Sequence, residues 1–190
     1  MEYLKKCIEE NATFIPPDVI KVDMFLNHMI DVDLLNKIGK EFCSRFSDKQ
    51  GKINKILTIE ASGIGIACVT AQYFSVPVLF AKKGQNKNVG ANTYSTSIFS
   101  FTKNKSFEVF VSKDYLGPED HVLIIDDFLA NGEAVRGLIN IVEQAGATLE
   151  GVGIVVEKGF QNGGAQLRSD GVRVESLAII KGIENGRPIF

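Results

Sequence analysis

The sequence predicts an α/β fold, built on a central and mostly parallel sheet with helices on its faces. Three short apolar runs, at residues 55–59, 122–125 and 151–156, are rich in β-branched residues, as expected of strands that are buried on both sides. The first two runs lead through a short glycine-bearing loop into a stretch with helical periodicity. Strands and helices that alternate in this way are typical of parallel sheets, whose connections are helical crossovers.

In the N-terminal part of the chain, the sequence pattern predicts two helices that are joined by an arm. Residues 2–10 are a short charged helix candidate, and the arm at 19–31 is compatible with a strand followed by a turn. Asp31 has the residue type of an N-cap for the next helix. That helix repeats apolar residues at the spacing of a core-facing surface: Leu34, Leu35, Ile38, Phe42 and Phe46. It is expected to end before the polar segment 47–52.

The rest of the chain continues the alternation. The expected elements are, in order, a strand at 55–59, a helix at about 66–74, a strand at 76–80, a hairpin-like pair at 95–101 and 107–111, a strand at 122–125, a helix from about 133 that stops at Gly146, and strands at 151–156 and 172–180. The hairpin-like pair is expected to form an antiparallel flank of the sheet. An Asn-Gly pair at 185–186 predicts a turn in the C-terminal tail.

The bulk composition excludes several classes of protein. The 190 residues suit one α/β domain, and 45% hydrophobic with 23% charged residues is ordinary for a globular protein. A net charge of −2 argues against a broad nucleic-acid surface. The three cysteines have no CxxC spacing, and no run approaches the ~20 apolar residues of a membrane span. Because no signal-type segment is seen at the N-terminus, the expected location is the cytoplasm.

The most informative stretch is residues 122–134, VLIIDDFLANGEA. Two carboxylates, Asp126 and Asp127, follow a buried strand and precede a loop of small residues and a helix. A strand, a tight loop and a helix in this order bring backbone N–H groups and the positive end of a helix dipole together, which makes an anion site. The two aspartates beside it can accept hydrogen bonds from hydroxyls or hold a metal ion. The simpler alternative is that they end the strand and cap the helix.

This stretch resembles the phosphoribosyl diphosphate (PRPP) motif of the type I phosphoribosyltransferases, in which two acidic residues follow a strand and a short loop leads into a helix. Its ANGEA loop resembles that of the xanthine phosphoribosyltransferases in particular, and the resemblance extends over nearly the whole chain. The loop departs from the usual form, whose Thr or Ser hydroxyls also hold the phosphate, by having Asn131, Glu133 and Ala134. Glu133 would repel a phosphate unless its side chain points to solvent.

The resemblance implies the type I phosphoribosyltransferase fold, with a mostly parallel sheet flanked by helices, in a single domain at 1–190. The core of that domain would span about 32–157. A small hood over the core would be formed by the N-terminal arm, about 1–31, and the C-terminal tail, about 158–190.

The resemblance also implies which residues act on PRPP. Asp126 and Asp127 would be the catalytic residues and would bind the ribose hydroxyls. The 5-phosphate would be held by Ala130, Asn131, Gly132, Glu133 and Ala134, and the diphosphate by Glu60, Ser62 and Gly63 after the first strand. Ser62 stands where many adenine-type relatives carry an Arg, so the charge of the diphosphate must be neutralised from elsewhere.

The polar, glycine-bearing segment at 81–90 begins with Lys82 and Lys83 and shows no periodicity. It is compatible with a solvated mobile loop or with a lid whose lysines meet a polyanionic substrate. The type I phosphoribosyltransferases have a flexible loop at this position. The resemblance therefore favours the lid, with both lysines binding PRPP.

The purine site is expected at the carboxyl end of the strand at 151–156, where ligands of open α/β sheets bind. Lys158 and Phe160 follow that strand, although a lysine in this position is also a common solvated turn residue. The resemblance makes Lys158 a contact of the base, adds Ile20 and Asn27 from the arm, and lets Phe160 pack on the ring. A cationic donor suits the carbonyl oxygens of an oxopurine and disfavours the amino group of adenine.

The resemblance thus implies transfer of the 5-phosphoribosyl group from PRPP to xanthine, giving xanthosine monophosphate (XMP) and diphosphate in purine salvage. Mg²⁺ would be held mainly by substrate oxygens and water rather than by a protein metal site. The protein would be a homodimer, with no membrane or nucleic-acid partner. Two alternatives stay open: a PRPP-sensing purine regulator without catalysis, which the slightly acidic charge and the ANGEA loop disfavour, and the same reaction on guanine or hypoxanthine.

Overall fold

The computed structural model describes residues 1–15, 18–84, 92–100 and 105–190. Within these ranges the helices α1 to α5 span Glu2–Asn11, Val32–Arg45, Gly63–Phe74, Glu133–Gln144 and Gly163–Ser169. The strands β1 to β11 span Thr13–Ile15, Val19–Lys21, Lys55–Ile59, Val78–Gly84, Thr93–Ser100, Lys105–Ser112, His121–Leu129, Thr148–Lys158, Val174–Ile180, Gly182–Glu184 and Arg187–Ile189. A π-helix at Asp23–Asn27 and short 3₁₀ helices at Ser47–Lys49 and Lys113–Tyr115 complete the described elements.

The described residues form a central sheet with the strand order β5-β6-β4-β3-β7-β8-β9. Five neighbouring strands, β4, β3, β7, β8 and β9, are parallel to one another. The hairpin of β5 and β6 pairs antiparallel with the edge of β4. The prediction of a mostly parallel sheet with an antiparallel flank is therefore confirmed. Since parallel strands end at one edge of the sheet, residues that follow β3, β7 and β8 come together there.

Helices cover both faces of this sheet, as predicted. One face packs against α1, α2 and α3, and the predicted apolar stripe of α2 is buried in that cluster. The other face packs against α4, with Leu138 and Ile141 fully buried. The Asp31 carboxylate accepts a hydrogen bond from the Leu34 amide at 3.0 Å, which confirms the predicted N-cap of α2.

The N-terminal arm and the C-terminal tail pack on the same face of the sheet. The arm contributes the β1-β2 hairpin and the π-helix, whose Phe25 and Leu26 are buried with α1 and α2. The tail contributes the β10-β11 hairpin, and Ile183 and Phe190 pack against the same cluster. Positive φ angles of 50° at Asn185 and 74° at Gly186 confirm the predicted Asn-Gly turn.

Several strands are longer than predicted, and two of the extensions bear on the site. The strand predicted at 122–125 continues through Leu129, because β8 pairs with it as far as Leu129 and Glu157. The strand predicted at 76–80 runs from Val78 to Gly84, because β6 pairs with its last three residues. In the described ranges, no helix has both the length and the apolar character needed to cross a membrane.

Candidate active site

The acidic pair lies at the carboxyl edge of the sheet. Asp126 and Asp127 are both buried, with 4% and 8% of their surface exposed, near the end of β7. One oxygen of Asp126 accepts a hydrogen bond from the Asp127 amide at 3.0 Å. Oδ2 of Asp127 accepts a second bond from the side-chain amide of Asn27 at 3.1 Å. The structure therefore brings together the predicted ribose carboxylates and one predicted base contact.

Burial determines the electrostatics of the pair. Removal from water raises the pKa of Asp126 well above its usual value, and the nearby Asp127 carboxylate raises it further. The hydrogen bond from the Asp127 amide and the more distant charge of Lys83 act in the opposite direction and do not compensate. Such a pair is favourably placed to bind hydroxyl donors or a cationic group, because either relieves the repulsion between the two acids.

The loop after β7 has the geometry expected of an anion site. Gly132 has a φ of +88°, a left-handed conformation that favours glycine. Helix α4 begins immediately after it at Glu133, and the Arg136 amide donates to the Gly132 carbonyl at 2.9 Å. The amides at the start of the helix thus remain available to a ligand.

The loop lines a cavity of about 470 Å³ at this edge of the sheet. Its walls are formed by Asp18, Val19, Ile98, Phe99, Phe107, Phe128, Leu129, the loop residues Ala130 to Ala134, Val135, Lys158 and Gln161. The cavity therefore joins the predicted 5-phosphate loop to the predicted base contact Lys158. Aromatic side chains and a lysine around a polar loop fit a ligand with an aromatic ring and an anionic end.

The segment after β3 packs directly against the acidic pair. A side-chain carbon added at Gly63 would collide with the Thr58 hydroxyl and come within 3.1 Å of an Asp126 oxygen. Glu60 precedes a cis peptide bond to Ala61 and accepts a hydrogen bond from the Lys83 amide at 2.5 Å. Ser62 is half-buried at the start of α3. Gly63 thus lies next to Asp126, and Glu60 and Ser62 belong to the same segment after β3.

The two predicted lid lysines are exposed and lie on β4. Since side chains alternate along a strand, they point to opposite faces of the sheet. The Lys83 ammonium lies 5.3 Å from the centre of the Phe107 ring, which lines the cavity described above. Lys82 instead lines a second, more apolar cavity of about 630 Å³ with Phe80 and Phe110. The structure brings Lys83, and not Lys82, to the side of the acidic pair; residues 85–90 of the predicted lid lie outside the described residues.

The four predicted base contacts are divided between different surroundings. The Lys158 ammonium donates to the Asp18 carbonyl at 2.9 Å, and Lys158 lines the cavity. Asn27 is exposed and bonds to Asp127. The Ile20 side chain is buried in the core, and Phe160 is 36% exposed. Asn27, Ile20 and Phe160 are not among the residues that line the described cavity.

Sequence reasoning missed Asp18 and Gln161, which line the cavity beside Lys158. The Gln161 amide donates to the Asp18 carboxylate at 3.0 Å. Asp18 lies 140 positions from Lys158, so no local pattern relates them. Among the described residues, no group of three or more His, Cys, Asp or Glu side chains lies close enough to hold a metal ion.

Comparison with known proteins gives full-length relatives. No family model matches the chain. A xanthine phosphoribosyltransferase from Clostridium novyi (strain NT) is 62% identical over 190 residues, covering 100% of this chain and 99% of the relative. A xanthine phosphoribosyltransferase from Ruminiclostridium cellulolyticum is 58% identical over 190 residues, again covering 100% and 99%.

Solved structures with a similar fold are adenine phosphoribosyltransferases. The enzyme from Rhodothermus marinus has a TM-score of 0.75 at 19% identity, covering 95% of this chain and 100% of that one. The enzyme from Trypanosoma brucei, in complex with AMP, pyrophosphate and ribose-5-phosphate, has a TM-score of 0.73 at 22% identity, covering 93% and 79%. At these identities the structures establish the fold, the type I phosphoribosyltransferase fold. The sequence relatives establish the family: this chain belongs to the xanthine phosphoribosyltransferases.

Proposed function

We propose that this enzyme transfers the 5-phosphoribosyl group of PRPP to N9 of xanthine and releases XMP and diphosphate, as a step of purine salvage. In this reaction the bond from ribose C1 to the diphosphate oxygen breaks, the bond from C1 to N9 forms, and N9 loses its proton. The observation that carries the proposal is the arrangement of Asp126, Asp127 and the loop at 130–134. This arrangement occurs in a chain that is 62% identical to a xanthine phosphoribosyltransferase.

Asp126 and Asp127 would bind the ribose. Their buried carboxylates can accept hydrogen bonds from the 2- and 3-hydroxyls of the sugar. As the bond to diphosphate breaks, C1 and the ring oxygen gain positive charge, and a fixed negative charge nearby stabilises that transition state. The raised pKa of Asp126 supports this role, because the charge of the isolated pair is unfavourable until a donor or a cationic sugar approaches.

The 5-phosphate would be held by Ala130, Asn131, Gly132, Glu133 and Ala134. The support is the left-handed Gly132 and the start of α4 at Glu133, which leave backbone amides and the positive helix end facing an anion. Glu133 would contribute its amide, with its carboxylate directed away from the phosphate.

The diphosphate would be bound by Glu60, Ser62 and Gly63, with neutralising charge from Lys83. Lys82 lies on the opposite face of β4 and would contact the diphosphate only after a rearrangement of the end of this strand. The family implies Mg²⁺, and the site fits an ion that arrives with the substrate: diphosphate and ribose oxygens and water would supply most of its ligands, with the buried carboxylates of Asp126 and Asp127 as negative charge nearby. When bound, the ion supplies positive charge to the leaving diphosphate.

Lys158 would recognise the purine, with Asn27, the backbone of Ile20 and Phe160 as further contacts. The support for Lys158 is its position in the wall of the cavity, where it offers a positive donor to an oxopurine carbonyl. We also propose a core at about 32–157, a hood from the arm and the tail, a homodimer, and a cytoplasmic location.

The test is incubation of the purified protein with PRPP, Mg²⁺ and, separately, xanthine, guanine, hypoxanthine or adenine, with pyrophosphate release as the readout. We expect the highest kcat/KM with xanthine and the lowest with adenine. Preference for guanine or hypoxanthine would correct the substrate but keep the chemistry. Binding of PRPP without pyrophosphate release from any purine would contradict the proposed catalysis.

A further inference from the structure

Helix α5 stands in direct backbone contact with the loop proposed to hold the 5-phosphate. The Gly163 amide donates a hydrogen bond to the Ala130 carbonyl at 3.1 Å. A side-chain carbon at Gly163 would collide with that carbonyl oxygen and lie 2.6 Å from both the Asn131 carbonyl carbon and the Gly132 nitrogen. Only a glycine permits this approach, because every other residue would push the helix and the loop apart.

The contact bears on the conformation of the loop itself. Gly132 adopts its positive φ at the point where the loop meets α5, and its own missing side chain would lie 3.4 Å from the Gly163 Cα. The loop is thus enclosed between the cavity on one side and the start of α5 on the other. A shift of α5 would therefore move the amides that face the cavity.

An ion pair between Arg168, whose side chain is 37% exposed, and the buried carboxylate of Glu157 fixes α5 to the sheet. Arg168 donates from both terminal nitrogens to the two oxygens of Glu157, at 2.8 and 2.6 Å, and the Ser176 hydroxyl donates to the same carboxylate. Glu157 is 3% exposed on β8, next to Lys158. Burial tends to raise the pKa of Glu157, but the bonds from Arg168 and Ser176 outweigh it and lower the pKa, so the carboxylate stays charged.

Two further features hold α5 in place. A side-chain carbon at Gly164 would collide with the Glu157 carboxylate, so this glycine lets the ion pair sit beneath the helix. At the other end of α5, Asp170 accepts a hydrogen bond from Arg136 of α4 at 2.9 Å. Because α4 begins at the phosphate loop, α5 is joined to both sides of that loop.

We propose that Gly163, Glu157 and Arg168 are positioning residues for the 5-phosphate: the ion pair holds α5, and α5 holds the loop at 130–132 in its binding conformation. The inference rests on the proposed function and deepens it, because it assigns binding of the phosphate to residues that need not touch the substrate. Support of the loop by α5 affects phosphate binding because the loop amides must be placed precisely to bond the phosphate oxygens.

The test compares Gly163→Ala, Arg168→Lys and Arg168→Gln with Ala165→Ser, a change at an exposed position of the same helix. The readouts are the Kd for ribose 5-phosphate by calorimetry, the KM for PRPP and for xanthine, and the thermal midpoint. We expect Gly163→Ala to raise the Kd and the KM for PRPP by about ten- to a hundredfold. The KM for xanthine, and all constants of Ala165→Ser, should stay within about twofold of the wild type.

Arg168→Lys keeps the charge but not the two-pronged bond, so its Kd for ribose 5-phosphate should lie between those of the wild type and Arg168→Gln. If Gly163→Ala does not fold, this graded series decides the question. A lowered thermal midpoint with an unchanged Kd would mean that α5 is merely structural and would overturn the inference. If the wild type binds ribose 5-phosphate but releases no pyrophosphate, the proposed reaction is refuted. The inference that α5 positions the phosphate loop would not be affected by that result.

Discussion

The side-chain amide of Asn27 donates a hydrogen bond to Oδ2 of Asp127 over 3.1 Å, although the two residues are 100 positions apart in the chain. Asn27 ends the π-helix of the N-terminal arm, and Asp127 lies near the end of β7. In the proposed reaction, Asn27 orients the purine and Asp127 binds the ribose. This bond therefore joins the two reacting halves of the substrate site before either substrate is bound.

Replacing Asn27 should affect the purine more than the ribosyl donor. Asn27→Ala removes the side-chain amide that is proposed to bond the purine, and a hydrogen bond left unmade costs about 1–3 kcal/mol, so the KM for xanthine should rise about five- to a hundredfold. Asn27→Asp should be more damaging, because it sets two carboxylates against each other. Steady-state kinetics with each substrate varied in turn measures both effects. The exposed neighbour His28, changed to Ala, serves as the control, and wild-type kinetics for Asn27→Asp would contradict the assignment.

Asp127→Asn should fold normally and turn over slowly. The amide side chain cannot offer a charged acceptor to a ribose hydroxyl, and each such bond contributes about 1.5–3 kcal/mol. We expect kcat/KM to fall about ten- to a hundredfold for each hydrogen bond to the ribose that the variant cannot form, with an unchanged circular dichroism spectrum. Glu119→Gln removes an exposed acid and should have wild-type kinetics. Near wild-type turnover by Asp127→Asn would remove the acidic pair from the mechanism.

The stretch from Asp126 to Ala134 could be predicted because its parts are adjacent in the chain. A strand, two acids, a small-residue loop and a helix follow each other directly, and the same order places them at the edge of the sheet. Lys158 could be predicted for the related reason that it ends a neighbouring parallel strand.

The sequence analysis gave Lys82 and Lys83 the same role and did not predict that they differ. The reason is that the end of β4 is determined by its pairing with β6. With the strand predicted to end at residue 80, Lys82 and Lys83 belonged to one loop. The pairing of β6 with Lys82, Lys83 and Gly84 extends β4 and sends the two side chains to opposite faces. This pairing joins segments about 25 residues apart and leaves no trace in the local sequence.

Helix α5 could not be predicted for a different reason. It begins with two glycines, which are poor helix formers. Its stability comes from tertiary contacts, namely the buried Leu167 and the ion pair of Arg168 with Glu157. Propensity is a weak guide where packing supplies most of the stability of a short helix.

Asp126→Asn should stabilise the fold while it abolishes efficient transfer. The pKa of Asp126 in the folded protein is raised, first by burial and then by Asp127. Below the ordinary Asp pKa of about 3.9 this carboxyl is protonated in both the folded and the unfolded chain, so it does not lower the free energy of unfolding there. As the pH rises above that value, the unfolded chain loses its proton more readily, and stability falls until the folded pKa is passed. Urea unfolding at several pH values should show an advantage of the variant that grows from about pH 4 towards neutrality. An advantage that does not depend on pH would contradict the raised pKa.

We expect Glu150, which lies at a distance from the proposed site, to give the stability of the fold the opposite pH dependence. It lies near the start of β8 with its side chain 2% exposed, and it contacts Lys49 at 2.9 Å, His121 at 2.7 Å and Lys52 at 3.3 Å. Burial tends to raise its pKa, but the hydrogen bonds from these three residues outweigh burial and lower the pKa from 4.5 to about 2.

A lowered folded pKa contributes stability that is fully present above the unfolded pKa and is lost as the pH falls towards 2. The shift corresponds to at most about 3 kcal/mol at neutral pH, at 1.36 kcal/mol per unit, and solvent screening around the partly exposed Lys49 and Lys52 reduces this value. Glu150→Gln should lose stability of that order at pH 7 and should show a shallower decline between pH 5 and pH 3, as measured by urea unfolding. Its KM for PRPP and xanthine should match the wild type below the unfolding transition, because Glu150 and the acidic pair lie at opposite ends of their strands. A variant with the wild-type acid dependence would show that the cluster of Lys49, Lys52 and His121 does not hold the Glu150 carboxylate charged.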